Sequence, residues 1–186
     1  VLAAICAAGP LARAYVNNGG DIALHLAPGQ AFSVAMAAHG GADLGRVRVG
    51  AQSGVGGVAT SGPRGRSLSL GIAESVTVLA RTAALADTAA TLIANAVDLP
   101  DHPGITRVPA SALRPGSDLG ARLVATHVPA LTPAERAAAL GAGCARARAL
   151  EAQGHILGAA LFLQGDAALT GGARRHFSPL QEVEHA

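Results

Sequence analysis

The clearest pattern near the start of the chain is period-two alternation broken by glycine and asparagine. In ARAYVNNGGDIALHLAPG, Tyr15 and Val16 lead into Asn17-Asn18-Gly19-Gly20, and Ile22, Leu24 and Leu26 then alternate with Ala23 and His25. Asn and Gly tolerate the positive φ of a primed hairpin turn, so this predicts strand, tight turn, strand. AFSVAMAA predicts another short strand, and RVRVGA, after a turn at His39 to Gly41, a further one with Arg46 and Arg48 on one solvated face. SVTVLA, GARLVATHV and HILGAALFLQG read as later strands, the last apolar enough to lie inside a sheet.

Between these runs the period changes to that of a helix. Val1 to Ala8 reads as a helix end stopped by Gly9-Pro10. Thr82 is the expected cap of a helix whose Leu85, Ala86, Ala89, Leu92, Ile93, Ala96 and Val97 form a buried stripe. Asp87, Thr91 and Asn95 recur every four residues on another face of that helix. Thr132-Pro133-Ala134-Glu135 begins a second long helix running to about Gln153, and Gly141 and Gly143 each weaken it by roughly 1 kcal/mol relative to Ala. Asp98 to Gly120 is a Pro- and Gly-rich connection, and the tail GGARRHFSPLQEVEHA reads as peripheral. The whole predicts an α/β (α+β) fold, mixed sheets with packed Ala-rich helices, in a single domain over residues 1–186. Because the chain opens on Val1 in an Ala-rich helical run, an upstream part is expected.

Composition narrows the partners. Half of the 186 residues are apolar but only 2% are aromatic, so the core must be built from Ala, Val, Leu and Ile. All 14 basic residues are arginine, which excludes a P-loop lysine or a lysine Schiff base. Those arginines are scattered and few aromatics exist to stack on bases, so nucleic acid is not an expected partner. Cys6 and Cys144 lie far apart without metal-ligand spacing, which predicts buried free thiols. No apolar run reaches a membrane span and no charged segment precedes VLAAICAAGP, so a cytoplasmic location is expected.

Two stretches carry candidate chemistry. In GVGGVATSGPRGRS, the glycines, the hydroxyls of Thr60 and Ser61, Gly62 and the guanidinium groups of Arg64 and Arg66 suit a loop cradling an anion. Asp21 stands at a strand mouth beside bare glycine backbone. Asp87 and Thr91, one helical turn apart, are hard oxygen donors of the kind Mg or Ca prefers, although such a face is more often simply solvated. There is no GxSxG, HExxH, Walker or GxGxxG sequence between strand and helix.

VNNGGDI, VATSG and SVTVLARTAALADTAAT, in that order, resemble the ApbE-like superfamily, the flavin transferases also described as thiamine biosynthesis lipoproteins. The resemblance implies an ApbE-like fold in an uncharacterised branch, FAD as cofactor and Mg or Ca at its phosphates. It implies Asp87 and Thr91 as metal ligands, with Asn18, Gly19, Gly20, Asp21, Thr60, Ser61, Gly62 and Arg64 on the cofactor side. FMN transfer or FAD pyrophosphate cleavage is the implied activity, with no catalytic residue assigned. Where those transferases carry HIxDPxTG, this chain has SLSLGIAES, so a non-catalytic nucleotide-binding or carrier protein is the alternative, and a homo-oligomer without ligand a third reading.

Overall fold

The computed structural model describes residues 1–37, 43–62 and 68–178. Helix α1 (Leu2–Ala7) leads into strands β1 (Arg13–Asn18), β2 (Asp21–Leu26), β3 (Ala31–Ala37) and β4 (Asp43–Gly50). After one 3-10 turn come β5 (Gly57–Ser61), β6 (Ser75–Ala80), α2 (Ala83–Ala96), β7 (Thr106–Pro109), α3 (Ala110–Leu113) and β8 (Leu123–His127). Helix α4 (Pro133–Ala152), β9 (Gly158–Leu163), β10 (Asp166–Gly171), α5 (Ala173–His176) and β11 (Phe177–Ser178) complete the described chain. This is an α+β arrangement. A six-stranded sheet runs β1-β2-β5-β6-β9-β10, a three-stranded sheet β11-β4-β3, and β7 pairs with β8; every described pair is antiparallel.

The large sheet is covered on both faces. Ala59, Val76, Val78 and Leu161 pack with Ala86, Ala90 and Ile93 of α2 and with Ala139, Leu140 and Ala147 of α4. On the opposite face Leu24, Val58, Leu79 and Phe162 meet Met36, Val47 and Val49 of the three-stranded sheet. Coverage on both sides explains why β6 and β9 are buried at every position and why β9 reads as a continuous apolar run.

Within the expected anion loop, Gly54 to Ser67, Gly57 to Ser61 form strand β5 in the middle of this sheet, and residues 63–67 lie outside the described residues. Gly57 and Val58 pair with β2, and Gly57 to Ser61 pair with β6, so this backbone is extended sheet rather than an anion nest. The glycines answer a packing demand instead. A Cβ on Gly57 would overlap the backbone of Thr82 and Ala83, and one on Gly56 would overlap the Arg81 carbonyl. Helix α2 therefore starts almost in contact with β5, and only glycine admits it.

That close approach also rotates the helix relative to the expected stripe. Ala86, Ala89, Ala90, Ile93 and Ala94 are buried, while Leu85 and Leu92 are more than a third exposed. Small side chains take the sheet side because a leucine would hold the helix off. Thr82 accepts from the Leu85 N–H at 3.3 Å, as its capping position requires. In α4, Gly143 is likewise a packing residue, since a Cβ there would overlap Val97 and Leu161, whereas Gly141 faces open space. Beyond β9 the chain makes one more edge strand, β10, and part of the expected peripheral tail forms α5 and β11, the latter paired with β4. The turn at His39 to Gly41 and residues 179–186 lie outside the described residues.

Candidate functional site

The β1–β2 hairpin closes with a two-residue turn, Asn18 pairing with Asp21. Gly19 and Gly20 both have positive φ (68° and 118°), a conformation that strongly favours glycine. The Asn17 Oδ1 accepts from the Gly20 N–H at 3.0 Å and fixes the turn. Ile22, Leu24 and Leu26 point toward the three-stranded sheet, so alternation sends Asp21 to the helix-covered face. Asp87 occupies the second turn of α2 on that same side. Burial, and after it the negative charge of Asp87, push the Asp21 carboxyl above the usual carboxylate range.

Next along α2, Thr91 enters a cleft of about 710 Å³. Four residues of helix separate it from Asp87, a rise of roughly 6 Å. Ser61 and Gly62, Leu68 and Ser69, Thr91 and Asn95, and the loop from Leu113 to Leu119 line the cleft. Asn95 spends its Oδ1 on the Leu70 N–H at 3.1 Å and the Ser69 hydroxyl at 3.4 Å, pinning the strand-entering segment to the helix. Arg107 holds that segment from the other side, donating to the Leu70 carbonyl at 2.8 Å and to Asp98 at 2.6 Å. The wall behind the cleft is thus fixed before any ligand arrives.

The two hydroxyls of the VATSG segment part company. Ser61 shares the helix-side face with Ala59 and lines the cleft. Thr60 points to the other face, where its Oγ1 lies 2.8 Å from that of its cross-strand partner Thr77. Thr60 is therefore not brought together with Thr91 or Asp87. Asp21 stands within the field of Asp87, Asn18, Gly19, Gly20, Asp21 and Asp87 are all outside the cleft lining, and Arg64 and Arg66 lie outside the described residues.

The loop from Arg114 to Leu119 escaped sequence reasoning. It supplies Arg114, Ser117 and Asp118 to the cleft, and its only local signal is a Pro115-Gly116 turn followed by two polar residues. Among the described residues no three His, Cys, Asp or Glu side chains cluster to hold an ion by themselves. Asp87 and Thr91, one turn apart on α2, and Asp21 within the field of Asp87 are oxygen donors of the kind a hard cation such as magnesium takes, and could supply part of its shell beside water and ligand oxygens. Two carboxylates that repel each other also provide the charge such an ion neutralises.

A family model described as AbpE bacteria matches residues 1–169, from α1 to the middle of β10. The chain belongs to that family. Membership corrects the expected ApbE-like flavin-transferase identity, because the matched family is a different one. The segments that carried the resemblance also have local explanations. VNNGGDI builds a two-glycine turn, and the glycines before VATSG admit α2. No curated protein matches the chain. Among the described residues no helix is long and apolar enough to cross a membrane.

Proposed function

We propose that this chain binds a phosphorylated small molecule of nucleotide size together with a divalent cation. The observation that carries the reading is the approach of Asp21 to Asp87 just outside the cleft, one helical turn from Thr91, which lines it. Asp21, Asp87 and the Thr91 hydroxyl would hold the cation, and the Ser61 hydroxyl and Arg114 would face the rest of the ligand. When bound, the cation offsets the negative charge of phosphate oxygens. The cleft volume falls within the range of small-molecule sites.

Binding rather than turnover is the favoured form of this reading. Among the described residues that line the cleft there is no histidine or cysteine, so Ser61 and Thr91 have no adjacent imidazole to activate them as nucleophiles. The test is thermal unfolding with ADP or FAD, each with and without Mg or Ca. A ligand at about 100 times its Kd adds ~2.7 kcal/mol. Stabilisation that needs both nucleotide and metal is expected, and Asp87→Asn removes it. Equal stabilisation of parent and variant would refute the assignment.

A further inference from the structure

A second cleft, of about 230 Å³, opens where three segments meet: Gly71 to Glu74 entering β6, the end of β8 at His127, and the β9–β10 turn at Gln164. It shares no lining residue with the larger cleft. Its walls are tied down independently. Ile72 N–H donates to the Val97 carbonyl at 2.8 Å and Glu74 N–H to that of Phe162 at 2.9 Å. Thr126 Oγ1 donates to the Thr106 carbonyl at 3.2 Å. Gln164, held at φ 46°, donates from Nε2 to the Pro129 carbonyl at 2.7 Å and accepts at Oε1 from the Leu131 N–H at 2.9 Å.

With Thr126 and Gln164 engaged in structure, the carboxylate of Glu74 and the imidazole of His127 remain. They are the titratable side chains of the lining. Neither has a side-chain hydrogen bond or ion pair among the described residues. One is a pure acceptor when ionised, and the other donates an N–H in either protonation state. The volume selects the ligand's size. A water takes about 30 Å³ of liquid, so a bare ion would leave most of the space to solvent, while sites for drug-sized molecules begin near 300 Å³.

We propose that this cleft binds a small zwitterion of amino-acid size, its ammonium against Glu74 and its carboxylate against His127. Ile72, Ala125 and Val128 give its side chain a modest apolar wall.

The test follows the His127 ring C–H resonances by NMR while the whole chain is titrated with glycine, L-alanine and L-serine. His127→Ala identifies the resonances, and acetate and methylamine serve as controls carrying one charge each. At least one amino acid is expected to shift the signals saturably. Each control, and Glu74→Gln titrated with the same amino acid, should bind about tenfold more weakly or worse, the scale of one lost charge-assisted contact. Glu74→Gln should keep the parent's thermal midpoint and its response to nucleotide and metal, which separates this site from the larger one. The proposal is overturned if no amino acid gives a saturable shift, if acetate or methylamine binds as well as the amino acids, or if zinc ion saturates the signals where amino acids do not.

Discussion

The carboxyl of Asp21, at the mouth of the β1–β2 hairpin, lies within the field of Asp87 on α2, and that charge adds to burial in raising its pKa. A carboxyl with a folded pKa above its unfolded value costs stability once pH exceeds the folded pKa, and costs nothing below the unfolded one. Asp87→Asn is therefore expected to raise the thermal midpoint of the ligand-free chain at neutral pH, an advantage that fades as pH falls below the ordinary carboxylate range. The same variant loses stabilisation by metal and nucleotide. A midpoint unchanged at neutral pH would show that the two carboxylates do not interact.

Ser61 and Thr60 are adjacent in sequence but face opposite layers. Ser61→Ala should weaken nucleotide binding with little effect on folding, in keeping with substitutions at partly exposed sites, within about 0.5 kcal/mol. Thr60→Val should leave binding at the parent level. Calorimetric titration of both variants decides this, and equal losses would contradict the placement of Thr60.

Glycine carries opposite consequences at two sites. Gly57→Ala forces a methyl into the Thr82–Ala83 backbone, and a loss of about 3 kcal/mol or more is expected, at the upper end of overpacking costs. Gly141→Ala, in helix α4 with open space around it, should instead gain about 1 kcal/mol. Denaturant midpoints of the two variants should move in opposite directions.

The start of α4 predicts an acid response. Thr132 N–H and Oγ1 reach Glu135 Oε2 at 2.7 and 2.8 Å, and His102 Nε2 lies 3.2 Å from Oε1. The Thr132 backbone N–H, followed by its hydroxyl, holds the Glu135 carboxyl below its usual range. Its contribution is present above the unfolded pKa and disappears as pH falls through the folded one. Glu135→Gln should flatten the loss of stability over that acidic interval, and Thr132→Ala should cost about 1 kcal/mol near neutrality.

What the sequence made legible was chemistry that acts locally. The Asn17 to Gly20 turn, the Thr82 cap and the Thr132–Glu135 capping box each depend on atoms within a few residues. The misreadings lie where the cause is distant. Gly57 resembled loop glycine because Ala83, its reason for being glycine, becomes a neighbour only after folding. Leu85 and Leu92 were placed inward because hydrophobicity outranks size in a pattern, whereas a helix lying close on a sheet selects alanine. Of the candidate site, the Asp21 and Asp87 meeting was foreshadowed by chain order. The wall from Leu113 to Leu119 was not, since a Pro-Gly connection gives no sign of what it folds against.

Strand β6 gives alternate residues to the two cores, Val76 and Val78 to the helices and Leu79 to the small sheet. Neither layer can lose its packing without stripping one side of the same strand. Melting of the described fold should therefore be a single event, and the amide protons of β6 should exchange with solvent only when the whole chain opens.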